Sequence, residues 1–161
     1  MEPRIDVRKI SPGALKAMLG LEQYIRSSGL EEKLLLLVEF RVSQINGCAY
    51  CLDMHSKDLR AIGEAEQRLY LLDAWRESPF YTERERAALA WAEAVTFVAD
   101  GHVPNEVFEQ ARSHFTDEEL INLTLTVVAI NGWNRLSISF RAVPGTYQPQ
   151  QYKEFVKQMA A

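Results

Sequence analysis

A chain of 161 residues has the length of one domain and can bury one sizeable core, and its 47% hydrophobic and 25% charged content are those of an ordinary globular protein. Eighteen Lys and Arg against 22 Asp and Glu leave a net charge of −4 with no basic run, which excludes the electrostatic footprint of a nucleic-acid binder. The opening Met1-Glu2-Pro3-Arg4-Ile5-Asp6-Val7-Arg8-Lys9 lacks the apolar centre of a signal sequence and the apolar runs fall short of a membrane span, so a soluble, cytoplasmic protein without membrane contact is expected.

Helix signals follow one another along the chain. Ser11-Pro12 reads as an N-cap with proline at the first helical position, backed by Leu15, Met18, Leu19 and Leu21 and stopped at Ser27-Ser28-Gly29. A second helix runs from Glu31 to about Ile45. Its Leu34-Leu35-Leu36-Leu37-Val38 run is apolar on every side, the pattern of a helix buried in the core or against another subunit. Glu39 interrupts that pattern and Arg41 follows it. An ordinary ion pair or solvated turn is one reading; a carboxylate that tunes a neighbouring site is the other.

Asn46-Gly47 breaks the helix just before both cysteines of the protein, which stand in Cys48-Ala49-Tyr50-Cys51-Leu52-Asp53-Met54-His55. With Cys48 in the first turn of a third helix running towards Ile62, the spacing i, i+3, i+7 puts Cys48, Cys51 and His55 on one face. Unpaired first-turn amides and the positive end of the macrodipole favour thiolate over thiol, and lower a cysteine pKa from its free value of ~8.5. His55, one turn beyond Cys51, can take its proton directly or through a water. Three readings compete: a redox dithiol, which a reducing cytosol favours over a structural cross-link; a structural zinc site, for which no second Cys or His pair follows at finger spacing; and two unreactive packed cysteines. His102 and His114 are isolated and read as solvated or satisfied core residues.

Gly63 ends the third helix, and Glu64 to Asp73 predicts a short fourth. Ala74 to Tyr81 is an aromatic-rich connection that either packs under a loop or lines a substrate entrance. Thr82-Glu83-Arg84-Glu85 is a capping box opening a helix to about Ala99, stopped by Asp100-Gly101. Pro104 starts another through Arg112, and Thr116-Asp117-Glu118-Glu119 is a second box. Beyond it Ile121, Leu123, Leu125 and Val127 alternate with polar residues as a strand would. The capping box, the length before Gly132 and the lack of any partner strand favour a helix, continued or kinked at Gly132 and stopped by Pro144-Gly145. Pro149 opens a last amphipathic helix carrying Tyr152, Phe155, Val156 and Met159. The sum is an all-α, single-domain bundle of seven or eight helices over residues 1–161. Helices on both sides of the C-x-x-C exclude a thioredoxin fold.

Ser43-Gln44-Ile45-Asn46-Gly47-Cys48-Ala49-Tyr50-Cys51 with His55, Glu83-Arg84-Glu85-Arg86-Ala87-Ala88-Leu89 and Ile130-Asn131-Gly132-Trp133-Asn134-Arg135 together resemble the AhpD-like alkylhydroperoxidase branch of the carboxymuconolactone decarboxylase superfamily, over roughly residues 10–145. The resemblance implies an all-helical fold, assembly into trimers or hexamers, and a thiol-dependent peroxidase without metal or other cofactor. Carried over, Cys51 is the peroxidatic cysteine, Cys48 resolves it and His55 belongs to the proton relay. The partners implied are a small hydroperoxide and a thiol or dithiol reductant, a protein being one such reductant. The glutamate that such enzymes carry twelve residues before the first cysteine is Leu36 here, and Glu39, one turn later, replaces it only if its side chain points into the site. Tyr50 stands where a histidine can precede the second cysteine, and a tyrosine hydroxyl is a poor base at neutral pH. The superfamily's decarboxylases work without a redox cysteine pair, so peroxide reduction ranks first. A disulfide-exchange adaptor or redox sensor without significant peroxidase activity and a zinc-stabilised helical interaction module are the alternatives.

Overall fold

The computed structural model describes residues 2–149. Among them are eight α-helices and no strand: α1 (Val7–Ile10), α2 (Pro12–Arg26), α3 (Glu32–Asn46), α4 (Ala49–Ala61), α5 (Glu66–Leu71), α6 (Glu83–Thr96), α7 (Asn105–Arg112) and α8 (Asp117–Phe140), with a 3₁₀ turn at Leu72–Ala74. The all-α bundle expected from the sequence is what forms. The amphipathic segment from Pro149 onward lies almost wholly outside the described residues. Helix α1 was not anticipated. Asp6 makes it, its carboxylate accepting from the Arg8 and Lys9 amides.

The architecture is centred on α3, which packs against α4, α6 and α8. Leu34, Leu35, Val38 and Val42 of α3 enter one cluster with Ala88, Leu123, Val127 and Ile130. Leu36, Leu37 and Phe40 enter a second with Leu59, Leu72, Trp75, Tyr81 and Leu89. A helix flanked by apolar clusters on opposite sides has no solvent face, which is why its apolar run shows no amphipathic period.

Both capping boxes are present, Thr82 with Glu85 and Thr116 with Glu119 exchanging side-chain and backbone hydrogen bonds. The alternation after Thr116 misleads because burial there follows the helical period: Asn122, Leu123, Thr126, Val127 and Ile130 are buried while Ile121 is 62% exposed. The buried polar members are satisfied, Thr126 within the helix by donating to the Asn122 carbonyl at 2.9 Å and the Asn122 side chain across to α2 by accepting from Tyr24 at 3.1 Å. Helix α8 continues through Gly132. A Cβ there would lie 3.0 Å from Met18 Cε, so glycine serves the close approach of α2 to α8 rather than a kink. The aromatic connection packs: Trp75 and Tyr81 are buried, and neither borders the cavity described below. Arg41 pairs with Glu93 at 2.8 Å and with Asp73, not with Glu39.

Truncating Leu37, wholly buried in α3, is expected to destabilise the protein by about 2–5 kcal/mol, whereas Ile10→Ala on the exposed α1 should change stability by under about 0.5 kcal/mol. Urea unfolding midpoints of the two variants test this difference.

Candidate active site

The site starts at the break between α3 and α4. Gly47 adopts a left-handed conformation at φ +65°, which closes α3 and turns the chain within one residue. The turn is pinned to α8. Asn46 Nδ2 donates to the Asn131 and Asn134 side chains at 3.0 and 2.8 Å, and Asn134 donates to Ser43 Oγ at 3.1 Å. The Cys48 amide donates back to the Ser43 carbonyl at 3.1 Å.

Cys48 is the N-cap of α4 rather than a residue of its first turn, and its sulfur accepts the Cys51 amide at 3.3 Å. The helix macrodipole and an amide donor therefore both act on the cysteines. The two are joined as a disulfide across a Cα–Cα distance of 5.3 Å. Both are 1% exposed. Cys51 borders a cavity of about 470 Å³. Leu15, Leu19, Met54 and Trp133 give that cavity an apolar wall, and Glu22, Arg26 and His55 are its charged or basic members beside the cysteine. Tyr50 also borders it. The segments on either side of the helical body add to its lining and are tied to the helices: the Arg4 amide donates to the Phe140 carbonyl at 2.9 Å, Tyr147 donates to Asp58 at 2.7 Å, and the Gly145 amide donates to Asp53 at 2.9 Å.

Glu39, raised above only as an alternative to an ordinary ion pair, turns inward. It is 1% exposed, accepts from Arg26 Nη2 at 2.6 Å on each oxygen, and lies 3.5 Å from His55 Nδ1. Its place is thus against His55, one turn along from Leu36, which is buried in the second apolar cluster. Asp58 Oδ2 is 4.0 Å from the same imidazole nitrogen. Burial depresses the His55 pKa to about 4, Glu39 opposing and Arg26 reinforcing that shift, so the imidazole is neutral at pH 7. The Glu39 carboxylate 3.5 Å from Nδ1 forms no hydrogen bond with it, and favours a proton on that nitrogen by charge alone, with Nε2 then free to accept one.

Sequence reasoning missed Glu22. It is 7% exposed, its Oε1 accepts from the Trp133 indole at 2.9 Å, and its Oε2 is 3.7 Å from Arg26. Burial first, and the neighbouring Glu39 second, raise its pKa to about 7 against the pull of Arg26 and the indole. The signal was present in the register: Leu15, Leu19, Glu22 and Arg26 share one face of α2, so an acid occupies an apolar position with its i+4 cation. His102 is exposed and His114 half-buried, and neither borders the cavity. Among the described residues no group of three or more His, Cys, Asp or Glu is placed to hold a metal, and no helix is long and apolar enough to cross a membrane.

A model of the carboxymuconolactone decarboxylase family matches residues 12–94. The uncharacterised protein YdfG of Bacillus subtilis is 41% identical over 139 residues, spanning 86% of this chain and 95% of its own. The crystal structure of an Agrobacterium tumefaciens protein of unknown function, proposed there to be the antioxidant defence protein AhpD, superposes with a TM-score of 0.88 at 47% identity, over 91% of this chain and all of that one. An AhpD-core, peroxidase-related protein from Ralstonia eutropha shares the fold at a TM-score of 0.77 and 21% identity, over 89% of this chain and 77% of that one. A family model over half the chain, close relatives over nearly all of it and the matching helical architecture agree: the chain belongs to the carboxymuconolactone decarboxylase family, in its AhpD-like branch.

Proposed function

We propose that this protein is a thiol peroxidase that reduces small organic hydroperoxides through a Cys48–Cys51 dithiol/disulfide cycle. The observation that carries the reading is the junction of a C-x-x-C at a helix N-cap with an apolar cavity on which Cys51 and a neutral histidine meet. Reduced Cys51 gives its proton to His55 and attacks the distal peroxide oxygen. An S–O bond forms, the O–O bond breaks, and the alcohol leaves once its oxygen is protonated. Cys48, as thiolate, then attacks the Cys51 sulfenic sulfur and expels hydroxide, which takes the proton held by His55 and leaves as water. Glu39 orients the imidazole and stabilises it while it is charged, and Arg26 holds Glu39. A thiol or dithiol reductant restores the pair, which suits a reducing compartment such as the cytoplasm. Two sulfurs this buried, reached through a cavity of small-molecule size, favour a hydroperoxide over a protein disulfide as oxidant.

The family resemblance also implies a trimer or hexamer here. Ile121 and Val128, seven residues apart on α8 and 62% and 51% exposed, give that helix an apolar outer stripe suited to self-association. Sedimentation is expected to show an assembly larger than a dimer, and a monomer would remove that part of the reading.

Intact-mass measurement of reduced protein seconds after one equivalent of an alkyl hydroperoxide is expected to show loss of two hydrogens, mapped to Cys48 and Cys51. Cys51→Ser should abolish peroxide turnover, while Cys48→Ser should still consume one equivalent and retain a dimedone-reactive sulfenic acid. Equal residual activity in both variants would overturn the assignment of roles. His55→Gln should slow Cys51 oxidation by about 10²-fold, with Glu39→Gln intermediate, in stopped-flow kinetics. An unchanged rate in His55→Gln would exclude it from the relay.

A further inference from the structure

The relay above keeps the proton that His55 takes from Cys51 for the hydroxide expelled later, and so names no acid for the leaving alkoxide. Without a proton that oxygen departs as a strong base into an apolar cavity, where an unpaired charge is expensive. Glu22 meets the need by position: it borders the same cavity as Cys51 and His55, it is buried on the face of α2 that also carries Leu15, Leu19 and Arg26, and the Trp133 indole of α8 fixes one of its oxygens. We infer that Glu22 is the general acid of peroxide reduction, giving its proton to the alkoxide oxygen as the O–O bond breaks. This rests on the peroxidase reading and adds a catalytic residue to it.

The proton count closes. Sulfur gains the distal hydroxyl, the O–O electron pair goes to the alkoxide oxygen, and Glu22 converts it to the alcohol. The carboxylate then regains a proton from solvent, replacing the one that Cys48 releases to solvent before it attacks. The charged and titratable groups around Glu22 are Arg26 on its own helix, Glu39 on α3, His55 and Asp58 on α4, and Asp6 and Arg8 at the N-terminal side of the cavity. Arg26 is shared with Glu39, which takes it at 2.6 Å against 3.7 Å for Glu22. The nearer carboxylate has the cation, and the burial that remains keeps Glu22 protonated up to about pH 7. A group whose folded pKa is raised holds its proton below that value and loses it as pH rises through it.

The test is the rate of Cys51 oxidation in the full-length reduced protein with two oxidants. Tert-butyl hydroperoxide expels a strongly basic alkoxide that needs an acid; peracetic acid expels a carboxylate that does not. Glu22→Gln is expected to slow the first reaction by about 10²-fold at pH 6 and leave the second within about twofold, a split that a packing role would not produce. The ratio of wild-type to variant rate with the hydroperoxide should fall towards one between pH 7 and 9. Within one protein, the ratio of the hydroperoxide rate to the peracetic acid rate should fall as pH rises through 7, and Trp133→Phe, which removes a hydrogen bond that favours the carboxylate, should move that fall to higher pH, a readout that does not need Glu22→Gln to fold. Equal slowing with both oxidants, or none, would overturn the assignment to Glu22. Wild-type protein in which neither oxidant modifies Cys51 would instead overturn the peroxidase reading and this inference with it.

Discussion

The interaction on which the site depends is the buried pairing of Arg26 with Glu39. A carboxylate placed on a helix with no solvent face must find a cation and hydrogen-bond donors, because an unpaired buried charge costs several kcal/mol. Arg26 provides both from the last turn of α2, at 2.6 Å to each oxygen, and so ties α2 to α3 beside the cysteines. Two further groups lie against this pair. His55 Nδ1 is 3.5 Å from Glu39, and Glu39 adds to the burial that raises the Glu22 pKa. The ion pair thereby modulates a base and an acid whose protonation burial sets first.

The cysteines depend on a different constraint, the placement of the α3–α4 turn. A left-handed residue at Gly47 puts Cys48 at the N-cap, where its sulfur meets an amide of its own helix, while Cys51 falls one turn inside and faces the cavity. The Asn46, Asn131 and Asn134 side chains hold that turn against α8. Two cysteines three residues apart thus acquire unlike surroundings: Cys48 at the cap and Cys51 on the cavity wall. That asymmetry is what a peroxidatic and a resolving cysteine require.

Much of this was legible in the residues. The capping boxes at Thr82 and Thr116, the proline at the start of α2 and the C-x-x-C with His55 are local signals, and local geometry decided them. Glu39 was legible as an anomaly but not as a partner, since its cation is Arg26 thirteen residues back and not the adjacent Arg41. Glu22 was not seen, because an isolated acid four residues before an arginine on an amphipathic helix reads as a surface pair. The Trp133 indole that packs on it comes from α8, more than a hundred residues away. The strand-like alternation after Thr116 failed for the opposite reason: its polar Thr126 and Asn122 are buried and hydrogen-bonded, one within the helix and one to Tyr24 of α2, so polarity ceased to report exposure.

Burial acts on Glu22 and His55, two of the titratable groups on the cavity, in opposite directions. In water between about pH 4.5 and 6.5 a glutamate is ionised and a histidine is protonated. In this cavity the order is exchanged, with His55 neutral above about pH 4 and Glu22 neutral below about 7. Both pairs of states carry no net charge, but only the exchanged pair combines a proton acceptor for a thiol with a proton donor for a leaving oxygen. An apolar wall penalises whichever form is charged, and so produces both properties at once without a separate device for either. In the proposed peroxidase, the apolar character of the cavity would therefore serve the acid–base chemistry as well as substrate binding.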